Sequence, residues 1–207
     1  MILALETSTP EGSIALLDPA TGELLHSASY HSDRAHNTAL FGPLDDILRK
    51  APAPISLLVV GTGPGSYGGV RSGIAAVLGL SLSLECPALG LPSIVTLAPN
   101  ALVVGDARRS SFFTAEIRNH QLVAFPQVHD EVSFRAVVQH ATLPLLTTDP
   151  TVPLGLPNVE VRLPSATCLA QIAQRMADSQ RADSIRQPLE PLYVRPPFIT
   201  RAKPGRL

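Results

Sequence analysis

The sequence predicts an α/β protein built from two similar halves. Three observations lead there. Short aliphatic runs bounded by turn residues open the chain and recur from Ala101. Apolar-periodic segments and a glycine loop lie between the two sets of runs. An acid closes the leading run of each half, Glu6 in the first and Asp106 in the second, which points to an internal duplication.

The first half begins with Ile2 to Leu5 and Ser13 to Leu17, two apolar runs short enough to be strands. Turn residues fill Asp18 to Gly22, and Glu23 to Tyr30 resumes an extended pattern. His36 to Lys50 reads as a helix, with Leu40, Leu44, Ile47 and Leu48 on one stripe; Pro43 argues for a kink or a late start. Leu57 to Val60 is an aliphatic strand buried on both faces, and Gly61 to Gly69 is a glycine loop. Val70 to Leu84 is a second helix. Val70, Ile74, Val77 and Leu78 give it an apolar stripe, and Ser72, Ala76, Gly79 and Ser83 give it a stripe of small residues. Little of its girth suits water, so it is read as central to a core or pressed against another helix. Glycine inside a helix costs roughly 1 kcal/mol against alanine, and close packing at Gly79 is the expected compensation.

The second half repeats the order. Ala101 to Val104 is an aliphatic strand ending in Asp106, Ser111 to Ile117 is another, Asn119-His120 is a turn, and Leu122 to Phe125 resumes extended. Ser133 to His140 reads as a short helix, Leu143 to Thr147 as a strand, and Ala166 to Ser179 as a last amphipathic helix. Pro188 to Leu207 is a basic, proline-rich tail: a solvated terminus by default, a docking arm otherwise.

Composition narrows the function. The 207 residues are 45% hydrophobic and 16% charged, which excludes disorder. A net charge of −1 argues against a broad electrostatic footprint for nucleic acid. Cys86 and Cys168 match no metal or redox spacing, and a reducing cytoplasm is expected. Met1 runs directly into an apolar strand, so no targeting segment is expected. The apolar stretch from Gly73 to Leu84 falls short of the ~18 residues of a membrane span.

Two places could carry chemistry. Glu6-Thr7-Ser8-Thr9 sets an acid at a strand end before small hydroxyl residues. Such a turn can hold a hydrated Mg2+ and a phosphate, with Asp106 facing it across a cleft. Its other reading is a capped turn. The loop Gly61-Thr62-Gly63-Pro64-Gly65-Ser66-Tyr67-Gly68-Gly69 leads into a helix start, where Gly63, Gly65, Ser66 and Arg71 could cradle an anion. It has neither the Gly-Lys-Ser/Thr of a phosphate-binding P-loop nor the context of a dinucleotide fingerprint. The preferred reading is a tight strand-to-helix turn where two backbones approach closely.

These residues resemble a known family. Ile2 to Thr9, the stretch from His36 to Leu48, and Gly63-Pro64-Gly65-Ser66-Tyr67-x-Gly69-Val70-Arg71-x-Gly73 are similar to the TsaB (YeaZ) family. So are Asp106-Ala107-Arg108 and Glu190-Pro191-Leu192-Tyr193-Val194-Arg195. The loop's usual threonine is Gly68 here, and the serine common after the histidine is Asn37. The resemblance implies an actin/sugar-kinase/chaperone ATPase-like fold of two ribonuclease-H-like halves, the second one reduced. Residues 1–100 would be the first half with the dimerisation helices, 101–187 the second, and 188–207 the tail.

The resemblance further implies a non-catalytic, scaffolding and activating subunit for TsaD, which builds the threonylcarbamoyl group onto tRNA with TsaC and TsaE. The catalytic paralogue carries a His-x-x-x-His metal pair. The matching stretch here, Gly90 to Leu97, offers no imidazole, thiolate or carboxylate. No catalytic residue, metal or cofactor is therefore expected, and Glu6, Thr7, Ser8, Gly63, Gly65, Ser66, Arg71 and Asp106 would be a vestigial ligand loop. Leu40, Leu44, Ile47, Leu48, Val70, Ile74, Val77 and Leu78 would face the partner. TsaD is the expected heterodimer partner, with TsaE reached through that pair, tRNA met indirectly, and a homodimer formed when the chain is alone in the cytoplasm. The alternative is an enzyme of the same superfamily that uses Glu6 and Asp106 with Mg2+ and ATP for phosphoryl or acyl transfer.

Overall fold

The computed structural model describes residues 1–32 and 37–195. The expected helix start at His36 and the tail beyond residue 195 lie outside the described residues.

The first half contains β1 (Ile2–Glu6), β2 (Glu11–Leu17), β3 (Leu24–His31), α1 (Phe41–Lys50), β4 (Leu57–Gly61), α2 (Tyr67–Leu84) and β5 (Ala88–Leu91). Its sheet runs β3-β2-β1-β4-β5, with β1 antiparallel to β2 and β4 parallel to both β1 and β5. The aliphatic runs are continuous because both faces are covered. Successive side chains alternate between those faces. Leu3, Leu5, Ile14, Leu16, Leu58 and Val60 point to the face under α1 and α2. Ile2, Ala4, Ala15, Leu17, Leu57 and Val59 point to the other.

The helix expected from His36 begins late. A 3-10 turn spans Asn37–Leu40 and α1 starts at Phe41, so Pro43 falls in the first turn, where its missing N–H costs no bond. Helix α2 starts at Tyr67 rather than Val70, because the Ser66 hydroxyl accepts the Gly69 amide at 3.2 Å and caps it. By length and composition α2 could cross a membrane. Here it lies along the first sheet and buries Val70, Gly73, Ile74 and Val77 against it.

The second half contains β6 (Ala101–Asp106), β7 (Phe112–Arg118), β8 (Gln121–Leu122), β9 (Gln127–His129), α3 (Glu131–Gln139), β10 (Leu145–Thr147) and β11 (Val159–Val161). Its sheet runs β11-β10-β6-β7-β8, with β9 also on β7. Strand β6 is antiparallel to β7 and parallel to β10, and β10 is parallel to β11. This is the order and direction of the first sheet, so the duplication read from the sequence is present in the topology. The second copy is reduced: where α2 stands in the first half, a single 3-10 turn, Pro153–Gly155, follows β10. Phe134 of α3 is fully buried and stacks on Phe112 of β7 with centroids 4.8 Å apart.

The expected helix from Ala166 to Ser179 is two helices, α4 (Ala166–Arg175) and α5 (Asp178–Arg186). Met176 leaves the helical conformation, and the Arg181 guanidinium donates to the freed carbonyls of Met176 at 3.0 Å and Gln174 at 3.3 Å. Although they follow β11 in the chain, these helices serve the first sheet. Ala166, Leu169, Ala170 and Ala173 fill its second face with Ile2, Ala4 and Leu17, and Ile185 of α5 joins them. The Ala166 amide donates to the Ser13 hydroxyl at 3.0 Å.

Candidate docking face and glycine loop

The glycine loop is filled by the chain's own first turn. Ser66 donates its amide to the Ser8 carbonyl at 2.6 Å. A Cβ on Gly65 would collide with that same carbonyl oxygen, one on Gly69 with the Thr7 carbonyl oxygen, and one on Gly73 with the Thr7 hydroxyl. The glycines are needed where two backbones meet. On the far side the Gly63 amide donates to the Ser93 hydroxyl at 2.9 Å, and the Ser93 amide donates to the Gly63 carbonyl at 2.7 Å.

Glu6 is sealed beneath this contact. It is 0% exposed, and Oε1 accepts the Ser8 amide at 2.7 Å. Burial pushes its carboxyl above the usual range and outweighs the hydrogen bonds from Ser8 and Ser93, which act the other way. The nearby Tyr30 hydroxyl is pushed up to about 12 by burial and by the Glu6 charge. Thr7 Oγ1 and Ser8 Oγ are also buried, without hydrogen-bond partners. Asp106 has a different setting. It is exposed, accepts the Arg108 amide at 2.6 Å, and donates its own amide to Asp149 Oδ2 at 2.7 Å. Burial raises the Asp149 carboxyl, and the Asp106 charge adds to the shift. Glu6 is sealed and Asp106 is exposed, so the two acids of the repeat stand in unlike surroundings. Among the described residues no three His, Cys, Asp or Glu side chains gather as metal ligands.

The tail is docked where it is described. Leu189 packs into the core under α1 and α2, the Leu192 amide donates to the Thr62 carbonyl at 2.8 Å, and Val194 packs on the second-half core beside Ile94 and Leu97. The default reading of a solvated terminus is corrected for residues 189–194: the prolines keep the segment extended while its aliphatic side chains find both cores. Between loop and segment remains a cavity of about 10 Å3, lined by Gly65, Ser66, Leu192 and Tyr193 among others, roughly enough for one water.

The expected partner face also needs correction. Leu40, Leu44, Ile47, Val70, Ile74 and Val77 are buried in the chain's own core, and Leu48 packs against the same cluster. Their stripes are apolar because they cover the first sheet. Only Leu78 of those eight is exposed. The outer face of α2 is a different stripe: Arg71, Ala75, Leu78, Gly79 and Leu82, with Leu82 83% exposed. Among the described residues nothing lies within 4 Å of a Cβ placed on Gly79, so its expected close packing does not occur there. Arg71 is the one charged residue of this 18-residue helix. That lack of charge is the signal by which the sequence could have shown the outer face.

Comparison with known proteins places this architecture. A family model described as TsaD, tRNA N6-adenosine threonylcarbamoyltransferase, matches residues 25–144, more than half of the chain. The tRNA threonylcarbamoyladenosine biosynthesis protein TsaB of Escherichia coli is 27% identical, covering 99% of both chains. That of Haemophilus influenzae is 24% identical over 99% of this chain and 98% of its own. The solved structure of YeaZ from Pseudomonas aeruginosa superposes with a TM-score of 0.68 at 25% identity, over 93% of this chain and 98% of that one.

The chain belongs to the TsaB/YeaZ family. Its two sheets of like order are the two halves of the family's actin-like ATPase fold. In this TsaB/YeaZ chain the glycine loop is bonded to Ser8 and Leu192, and among the described residues the outer face of the 18-residue α2 is exposed.

Proposed function

We propose that the chain is a non-catalytic subunit of tRNA threonylcarbamoyladenosine biosynthesis, which pairs with a TsaD-type catalytic subunit and supports its activity. The observation that carries this reading is the outer face of α2, where Leu78, Gly79 and Leu82 stand exposed on a helix with a single charge. Exposed apolar side chains set among small residues suit close helix-on-helix contact. The names of the relatives support a role in threonylcarbamoyladenosine biosynthesis, and the assembly follows from this reading. TsaD is the direct partner, TsaE is reached through that pair, tRNA is met indirectly, and in its absence a second copy of the chain takes the same face. In this reading the chain works in the cytoplasm. No cofactor is assigned to it.

Reconstitution tests the role. TsaC, TsaD and TsaE are assayed for threonylcarbamoylation of tRNA with and without this chain, and product is expected only when it is added. Size exclusion with TsaD tests the face. Leu82→Glu is expected to abolish co-elution while leaving the thermal midpoint of the chain unchanged, since Leu82 touches solvent. Full modification without the chain refutes the role. Co-elution of the Leu82→Glu chain refutes the face.

The ATP-and-Mg2+ enzyme reading would require Glu6 to reach a hydrated cation, and its burial speaks against that. Calorimetric titration with ATP-Mg2+ separates the two readings. Binding tighter than about 100 μM, ~5.5 kcal/mol, that Glu6→Ala removes would favour the enzyme.

A further inference from the structure

Three side chains, Tyr67 and Arg71 of α2 and Tyr193 from far along the chain, meet at the amino end of α2. The guanidinium of Arg71 lies over the Tyr67 ring, 4.4 Å from its centroid. The ring of Tyr193, from the docked tail, stacks on Tyr67 at 5.6 Å with 26° between the planes. Tyr67 is 54% exposed and Arg71 is exposed, while the Tyr193 hydroxyl is buried without a hydrogen-bond partner. The ring of Tyr193 therefore does the holding, and its polar group contributes nothing visible.

A free arginine samples many rotamers, and fixing it on binding costs conformational entropy. Here the ordering is already done. Leu189 and Val194 anchor the tail on either side, the Leu192 amide fixes its register on Thr62, and Tyr193 backs Tyr67. Tyrosine and arginine are the side chains most often found to dominate interfaces. Arg71 also stands on the same stripe as Ala75, Leu78 and Leu82.

We propose that Tyr193 is a positioning residue for partner recognition: by stacking on Tyr67 it holds Arg71 as the cationic anchor of the α2 face, to be met by a carboxylate on the partner's helical surface. The proposal rests on the reading of α2 given above and adds the chemistry of its occupant. That occupant presents small and apolar residues along α2 and one acid opposite its only charge. A partner with a basic or uncharged group at that point is rejected, because the arginine would be buried unpaired.

The test measures affinity of the full-length chain for the TsaD-type subunit by calorimetry, with Leu82→Glu as reference. Arg71→Ala is expected to weaken pairing by about tenfold at low salt, and by much less at about 0.5 M salt, where exposed charges are screened. Tyr193→Ala is expected to weaken it about fivefold in the wild-type background, a modest hot-spot effect. In the Arg71→Ala background it should add less than about twofold, because both changes remove one interaction. Tyr193→Phe should restore wild-type affinity. Should Tyr193→Ala fold poorly, Tyr67→Ala, which removes an exposed ring, completes the same cycle. The proposal is overturned if the two effects add in full, if Tyr193→Ala has no effect, or if Tyr193→Phe is as weak as Tyr193→Ala. Loss of pairing in Leu82→Glu with no effect at Arg71 overturns the anchor alone. Unaltered pairing in Leu82→Glu overturns the α2 reading itself.

Discussion

Ser66 donates its backbone amide to the carbonyl of Ser8 at 2.6 Å, and this bond joins the glycine loop to the turn that follows β1. The loop is therefore a receiver for the chain's own backbone. Its glycines permit contact at Gly65 and Gly69 that any side chain would block, and Gly73 within α2 does the same for Thr7.

Gly65→Ala is expected to destabilise the chain by about 1–3 kcal/mol, since the added methyl meets a carbonyl oxygen that cannot swing aside. Urea unfolding measures it. Gly42→Ala, where nothing lies within 4 Å of the new atom, is the control, and equal losses at both positions would contradict the account.

Gly79→Ala should act in the opposite direction on the isolated chain. The position is exposed within α2 and has open space around it, so the helix gains up to about 1 kcal/mol. A rise in the thermal midpoint checks this. A fall would mean that the isolated chain already packs something against Gly79.

Glu6→Gln separates the buried proton from the rest of the pH profile. The folded chain raises the Glu6 carboxyl above its ordinary value of 4.5, so it holds the proton more tightly than the unfolded chain does. The associated stability is complete below about 4.5 and is lost as pH rises through the folded value. The glutamine variant has no such loss. Its thermal midpoint relative to wild type should climb from about pH 4.5 upward and level off once the wild-type carboxyl has ionised. Parallel curves across that window would show that the group is not perturbed.

Phe134→Ala should cost about 3–5 kcal/mol, because Phe134 is fully buried against Phe112 and Val104 with Leu102, Val138 and Leu145 packed around it, and truncation removes those contacts and leaves a cavity. Measured by denaturant unfolding, a loss under about 1 kcal/mol would mean that the second half holds together by other contacts.

The strands read most easily were those whose both faces are covered. β1 and β4 are unbroken aliphatic runs, and β6 repeats the pattern. Strands β5 and β9 are not legible in the pattern, because Ala88–Leu91 carries a glycine and Gln127–His129 is only three residues, two of them exposed. Periodicity identifies the apolar stripes of α1 and α2 but not what covers them, so it cannot tell the core face from a partner face. The sealing of Glu6 and the docking of Tyr193 depend on contacts between residues far apart in the chain. Local pattern carries no record of such contacts, although Leu189, Leu192 and Val194 among prolines were a hint.

The covering of the first sheet by α4 has a consequence for synthesis. Residues 1–91 form all five strands of that sheet, yet Ile2, Ala4, Ala15 and Leu17 stay open to water until Ala166–Arg175 has left the ribosome. The amino-terminal lobe is therefore completed last as well as begun first. A nascent chain must keep that half-clad surface from sticking to its neighbours for most of its translation, and a fragment ending near residue 100 would carry the same exposed face permanently.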